Sequence, residues 1–103
     1  MTSPEDSPGG PVHTDDGHFI IVKGRRWRAT DPLIPPDVSQ QLRTALMAAR
    51  RAVGAALRSG DKSGEQAARQ EVNRLKIALG ERGTPWWEQS EDERRNRWQD
   101  QGT

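Results

Sequence analysis

The chain has 103 residues, 31% of them hydrophobic, and a formal net charge of +1. An average globular domain is nearer half apolar, so this composition allows one small domain with ragged ends and excludes a second. No run approaches the ~18 apolar residues of a membrane span. The chain has no Cys, which excludes disulfides, zinc-thiolate sites and a Cys nucleophile.

The small net charge hides an asymmetry. Residues 1–16 carry four acids and no base, residues 17–83 carry thirteen Lys or Arg against six acids, and residues 84–103 carry three Arg against five acids. A basic middle between acidic ends points to a surface that faces a polyanion, or to tails that fold back over it.

In chain order, residues 1–16 hold three Pro and two Gly with little to bury. They cannot offset the entropy of ordering, so they are expected to form a disordered acidic tail. They also lack the charged-then-apolar pattern of a secretory signal. Residues 17–88 are expected to form a single small α+β domain, and residues 89–103 a short helix or frayed tail. Phe19-Ile20-Ile21-Val22 is a β-prone run, Lys23-Gly24 a two-residue turn, and Arg25 to Thr30 the returning strand. Pairing Val22 with Arg25 sets Ile20 opposite Trp27 on one face and leaves Phe19, Ile21, Arg26 and Arg28 on the other. A lone hairpin is marginal, so the Ile20–Trp27 face is expected to pack on something, with Trp27 as core.

Asp31-Pro32 and Pro35-Pro36 break the strand pattern, and Asp37 is a candidate N-cap. Val38, Leu42, Ala45, Leu46, Ala49, Val53, Ala56 and Leu57 recur at helical spacing over residues 37–59, and Gly60-Asp61 ends the run. A second helix is expected from Ser63 to Leu79, with Ala68, Val72, Leu75 and Leu79 as its seam and Glu65–Arg69 as an i,i+4 pair. The short linker makes the two helices an antiparallel hairpin. Ile77 lies off that seam and predicts a second buried patch, covered by Trp86-Trp87 or the β-hairpin. Gly80 and Gly83 close the helix, Pro85-Trp86-Trp87 follows, and Ser90 with Glu93 forms a capping box for a last short helix. The fold class is therefore α+β: a small β-hairpin packed on an antiparallel two-helix hairpin, with a C-terminal Trp-rich segment and short helix.

Little in the chain can carry catalysis. His13 and His18 are the only His and sit in or beside the N-terminal tail; with Asp15 and Asp16 they lack the rigid support that a metal site wants. No Ser-His-Asp arrangement has a buried His. Gly60-Asp61-Lys62-Ser63 lacks the upstream Gly and strand of a phosphate loop. A non-enzyme is expected, with no catalytic residues, metal, cofactor or small-molecule substrate.

The first helix is more informative. No acid lies between Asp37 and Asp61, and Arg43, Arg50, Arg51 and Arg58 fall within a stripe about 100° wide. Opposite the apolar seam, that stripe is expected to face away from the second helix. The hairpin adds Lys23, Arg25, Arg26 and Arg28. Together they give the charge footprint of a nucleic-acid binder, since Arg can fork onto phosphate. DNA or RNA is the expected partner. The acidic tail would then compete with that ligand. The alternative is a protein-interaction module or homodimer, using the hairpin edge, Phe19 and Ile21, or Trp86 and Trp87.

Two motifs are familiar as a pair. Gly24-Arg25-Arg26-Trp27-Arg28-Ala29-Thr30-Asp31-Pro32 is one, and Ala78-Leu79-Gly80-Glu81-Arg82-Gly83 leading into Pro85-Trp86-Trp87-Glu88 is the other. With Leu46 to Val53 between them, residues 18–88 resemble a family of small uncharacterised bacterial proteins that sometimes carry the label biopolymer transporter Tol. The resemblance implies a bacterial, cytoplasmic protein and brings no activity and no functional residues with it. Gly83 is expected to stop a helix, Pro85 to fix a turn, and the Trp pair to act as a lid.

Overall fold

The computed structural model describes residues 12–99. These form a three-stranded antiparallel sheet and three α-helices, an α+β arrangement. The strands are β1 (Val12–His13), β2 (Phe19–Val22) and β3 (Arg25–Arg28). The helices are α1 (Pro36–Ser59), α2 (Lys62–Ala78) and α3 (Glu91–Gln99), with a 3-10 turn at Trp86–Glu88. Contacts divide the chain into two compact units between Thr30 and Asp31, whereas composition alone drew limits at residues 17 and 88.

The first unit is the sheet, in the order β1-β2-β3. Its β2–β3 register is Phe19 with Arg28, Ile20 with Trp27, Ile21 with Arg26 and Val22 with Arg25, as the turn length requires. Lys23 (φ 52°) and Gly24 (φ 76°) both take the left-handed conformation. That is the two-residue turn whose twist matches a right-twisted hairpin, and it holds Lys23 where a Gly or Asn would fit with less strain. A third strand was not expected. Val12 pairs with Ile21 and His13 with Ile20, inside the segment read as an unordered tail. Local polar bonds supply what apolar burial does not. Thr14 N–H donates to the Phe19 carbonyl (2.9 Å), and the Thr14 hydroxyl (2.7 Å) and the His18 N–H (2.9 Å) donate to the Asp16 carboxylate. The rest of the predicted tail, residues 1–11, lies outside the described residues.

The second unit is built on the α1–α2 helical hairpin. Pro36 opens α1 at its first position, where the missing N–H is no loss. Asp37 is therefore not the N-cap: it lies inside the first turn, where its charge suits the helix dipole. Gly60 closes α1 in the left-handed conformation (φ 72°), and Asp61 then opens α2 by accepting the Gly64 N–H (2.9 Å). With only Gly60 and Asp61 between them, the helices fold back on each other. Leu42, Leu46, Ala49, Leu75, Ala78 and Leu79 form the core with Ile34 from the preceding loop, and Ala49 and Ala78 keep the contact close. Ile77 and Leu57 are not part of it. Ile77 remains 37% exposed and Leu57 54%, so the predicted second buried patch on α2 does not form.

The C-terminal part is fastened by a buried ionic cluster. Asp31 is 1% exposed. Its carboxylate accepts hydrogen bonds from both guanidinium arms of Arg94 (Nε to Oδ2 3.0 Å), from Arg97 Nη1 (3.2 Å) and from the Leu33 N–H (2.8 Å). Arg97 also donates to Gln89 Oε1, and Arg94 lies 5.0 Å from the Trp86 ring centre. Burial pushes the Asp31 carboxyl pKa up. The hydrogen bonds from Arg94 and Leu33, with the charges of Arg94 and Arg97, outweigh it, so the net value lies below the ordinary aspartate range. Gly80, not Gly83, supplies the helix stop, with Glu81 N–H donating to the Lys76 carbonyl (2.9 Å) and Gly80 N–H to the Ile77 carbonyl (3.0 Å). A Cβ at Gly80 would stand 3.0 Å from both Asp31 Cβ and Trp86 Cδ1, so this approach also requires glycine. Trp86 is buried beneath Arg94, with Trp87 edge-on to it at 5.2 Å. The two familiar motifs thus meet at Asp31, Gly80 and Trp86. The capping box predicted for α3 forms in both directions, Ser90 N–H to Glu93 Oε1 (2.9 Å) and Glu93 N–H to Ser90 Oγ (3.2 Å).

Candidate nucleic-acid interface

The predicted basic residues fall into two sets, one in each unit. In the sheet, strand alternation places Arg25 on the face of Trp27, and Arg26 and Arg28 on the face of Phe19 and Ile21. The Arg25 guanidinium lies 4.9 Å from the Trp27 ring centre, and that of Arg26 lies 4.5 Å from the Phe19 ring centre. Each aromatic ring thus holds a cation beside it. Lys23, Arg25 and Arg26 are exposed and Arg28 is half-buried. Trp27 is 44% exposed and so is not core; on the outer strand of a three-stranded sheet its ring has a neighbouring strand on one side only.

In the helical unit the predicted Arg row splits. Arg43 and Arg50 turn toward α2, whereas Arg51 and Arg58 stay on the far side of α1. Arg43 pairs with Glu81 at 3.2 Å, and the other Glu81 oxygen lies 3.9 Å from Lys76 Nζ. Arg50 lines a cleft of about 390 Å³ with Val53, Arg69, Val72 and Arg82. The two Val give it an apolar floor, and three guanidinium groups border it. Arg69 is paired with Glu65 (2.7 Å), as the i,i+4 spacing predicted, and Arg82 donates to Asn73 (3.0 Å).

Lys76 registers the field of this cluster. Burial lowers its ammonium pKa; Glu81 pulls the other way, and Arg50, Arg82 and Arg43 push it down further. Four cations therefore act on one another with Glu81 as the carboxylate among them. Arg69, Lys76, Arg82 and Glu81 were not among the predicted binding residues, yet a signal for two of them exists. Arg43 and Arg50 each follow a buried residue, Leu42 and Ala49, and Arg69 and Lys76 each follow Ala68 and Leu75. Seven-residue spacing beside both seams marks a shared flank.

The residues of the alternative protein interface are less available. Trp86 is 7% exposed and Trp87 half-buried, while Phe19 and Ile21 are half-buried on a face shared with Arg26 and Arg28. His18 Nδ1 lies 3.4 Å from Asp16 Oδ2. Among the described residues no group of three His, Cys, Asp or Glu is placed to hold a metal ion, and no helix is long and apolar enough to cross a membrane. Comparison with protein-family models, with curated proteins and with solved structures gives no match to this chain.

Proposed function

We propose that this protein is a non-catalytic, cytoplasmic nucleic-acid-binding protein that holds its ligand through phosphate contacts. Membership of the bacterial family that residues 18–88 resemble is part of the same reading. One observation carries it. Arg50, Arg69 and Arg82 border a cleft, Arg43 and Lys76 share Glu81, and the charges of Arg50, Arg82 and Arg43 help to depress the Lys76 pKa. A phosphate entering this cluster relieves that repulsion, and guanidinium groups match phosphate oxygens two at a time. Lys23, Arg25, Arg26 and Arg28 give the sheet unit a positive surface of its own, where residues 17–30 contain no acid.

The test is fluorescence anisotropy with labelled DNA and RNA oligonucleotides at several salt concentrations. Binding should weaken with a log–log salt slope matching about four or more released counterions. Replacing both Arg50 and Arg82 by Glu should weaken binding about a hundredfold and leave the thermal unfolding midpoint in place. Absence of binding at low salt would refute the reading.

A further inference from the structure

We propose that Trp27 stacks on an unpaired base, so that the ligand of the sheet is single-stranded nucleic acid. This rests on the nucleic-acid reading above and adds a ligand class to it.

Three observations in the sheet point the same way. Trp27 is the most exposed aromatic side chain among the large exposed hydrophobics, at 44%. It stands on β3 between Arg26 and Arg28, with Arg25 on its own face and its guanidinium 4.9 Å from the ring. The β2–β3 hairpin carries Lys23, Arg25, Arg26 and Arg28 and no acid. Charge complementarity calls for an anionic partner, and an indole beside a guanidinium suits one whose anions alternate with flat aromatic groups. A nucleic-acid strand has that alternation, with phosphate for the Arg and base for the Trp. In a duplex the base faces are already stacked on one another, so an indole reaches one only by unstacking a base step, at a cost of about a few kcal/mol that a single strand does not impose.

The experiment uses the full chain and three labelled probes of equal length: an oligothymidylate, the same backbone without bases, and a duplex. Wild-type protein should bind the oligothymidylate about tenfold more tightly than the abasic strand, the weight of one base–aromatic stack. Trp27→Ala should remove that tenfold preference, and Trp27→Phe should keep most of it. Neither change should alter binding to the abasic strand. Equal wild-type affinity for the oligothymidylate and the abasic strand overturns the proposal without using any variant. So does a Trp27→Ala loss that is the same on both. If Arg50→Glu with Arg82→Glu weakens binding while the bases make no difference, stacking falls and the phosphate reading stands. If wild-type protein binds none of the probes, both fall.

Discussion

The helical unit contains two clusters built around one carboxylate each, and they behave differently. Asp31 is enclosed. Its two oxygens take four donors, two of them from Arg94, and the carboxylate itself is out of water. Glu81 is shared more thinly, between Arg43 at 3.2 Å and Lys76 at 3.9 Å, with Arg50 and Arg82 also felt at Lys76. The first cluster encloses its carboxylate among hydrogen-bond donors and fastens the C-terminal helix. The second gathers Arg43, Arg50, Lys76 and Arg82 around one carboxylate, with Arg50 and Arg82 also bordering a cleft. An Arg-rich sequence therefore serves structure where a carboxylate is buried among its donors; on the function proposed above, it serves binding where several cations share one carboxylate beside a cleft.

Removing the carboxylate from each cluster separates the two roles. Asp31→Asn removes the buried carboxylate that Arg94 and Arg97 share and should cost about 3 kcal/mol of stability, seen as a lowered thermal unfolding midpoint. The acid limb of the stability curve sharpens this. The Asp31 pKa is lower in the folded chain than the ordinary ~3.9 of an unfolded one. Its contribution is thus present above about pH 4 and is lost as pH falls through the lower, native value. In Asp31→Asn that part of the acid-induced loss should be missing from chemical-denaturation titrations. An unchanged acid limb would show that the cluster does not hold the fold.

The same comparison predicts the opposite pattern at the cleft. The Arg50→Glu, Arg82→Glu pair should abolish most polyanion binding while the unfolding midpoint stays put; a large drop in stability would make these Arg structural, like Arg94 and Arg97. Glu81→Gln should raise oligonucleotide affinity by about fivefold at low salt, because it removes the carboxylate that competes with phosphate for Arg43 and Lys76. A fall in affinity would mean that Glu81 positions those cations rather than competing for them. The smallest effect is expected in the sheet. Lys23→Asn at the left-handed turn position should stabilise the hairpin by roughly 0.5 kcal/mol, read as slower amide exchange at Ile20 and Trp27, whose amides bond across β2 and β3.

Elements set by local rules could be read in the sequence. The β2–β3 register follows from a two-residue turn, the α1–α2 hairpin from periodic apolar positions around Gly60-Asp61, and the α3 capping box from Ser90 and Glu93. The strand at Val12–His13 was missed because its order rests on pairing and on Thr14–Asp16 bonds rather than on apolar content. Ile77 was misplaced because an apolar residue off the main seam buries only where another element covers it.

The sequence by itself determined the α+β class, the limits of β2, β3, α1 and α2 to within a residue or two, and an Arg-rich middle, because each depends on neighbours a few positions apart. Tertiary structure decided what those Arg do. Asp31 meets Arg94 and Arg97 across more than sixty residues, and Arg43 meets Glu81 across thirty-eight. Whether a cation is neutralised depends on which carboxylate the fold brings within about 4 Å, and no local pattern in the chain encodes that distance.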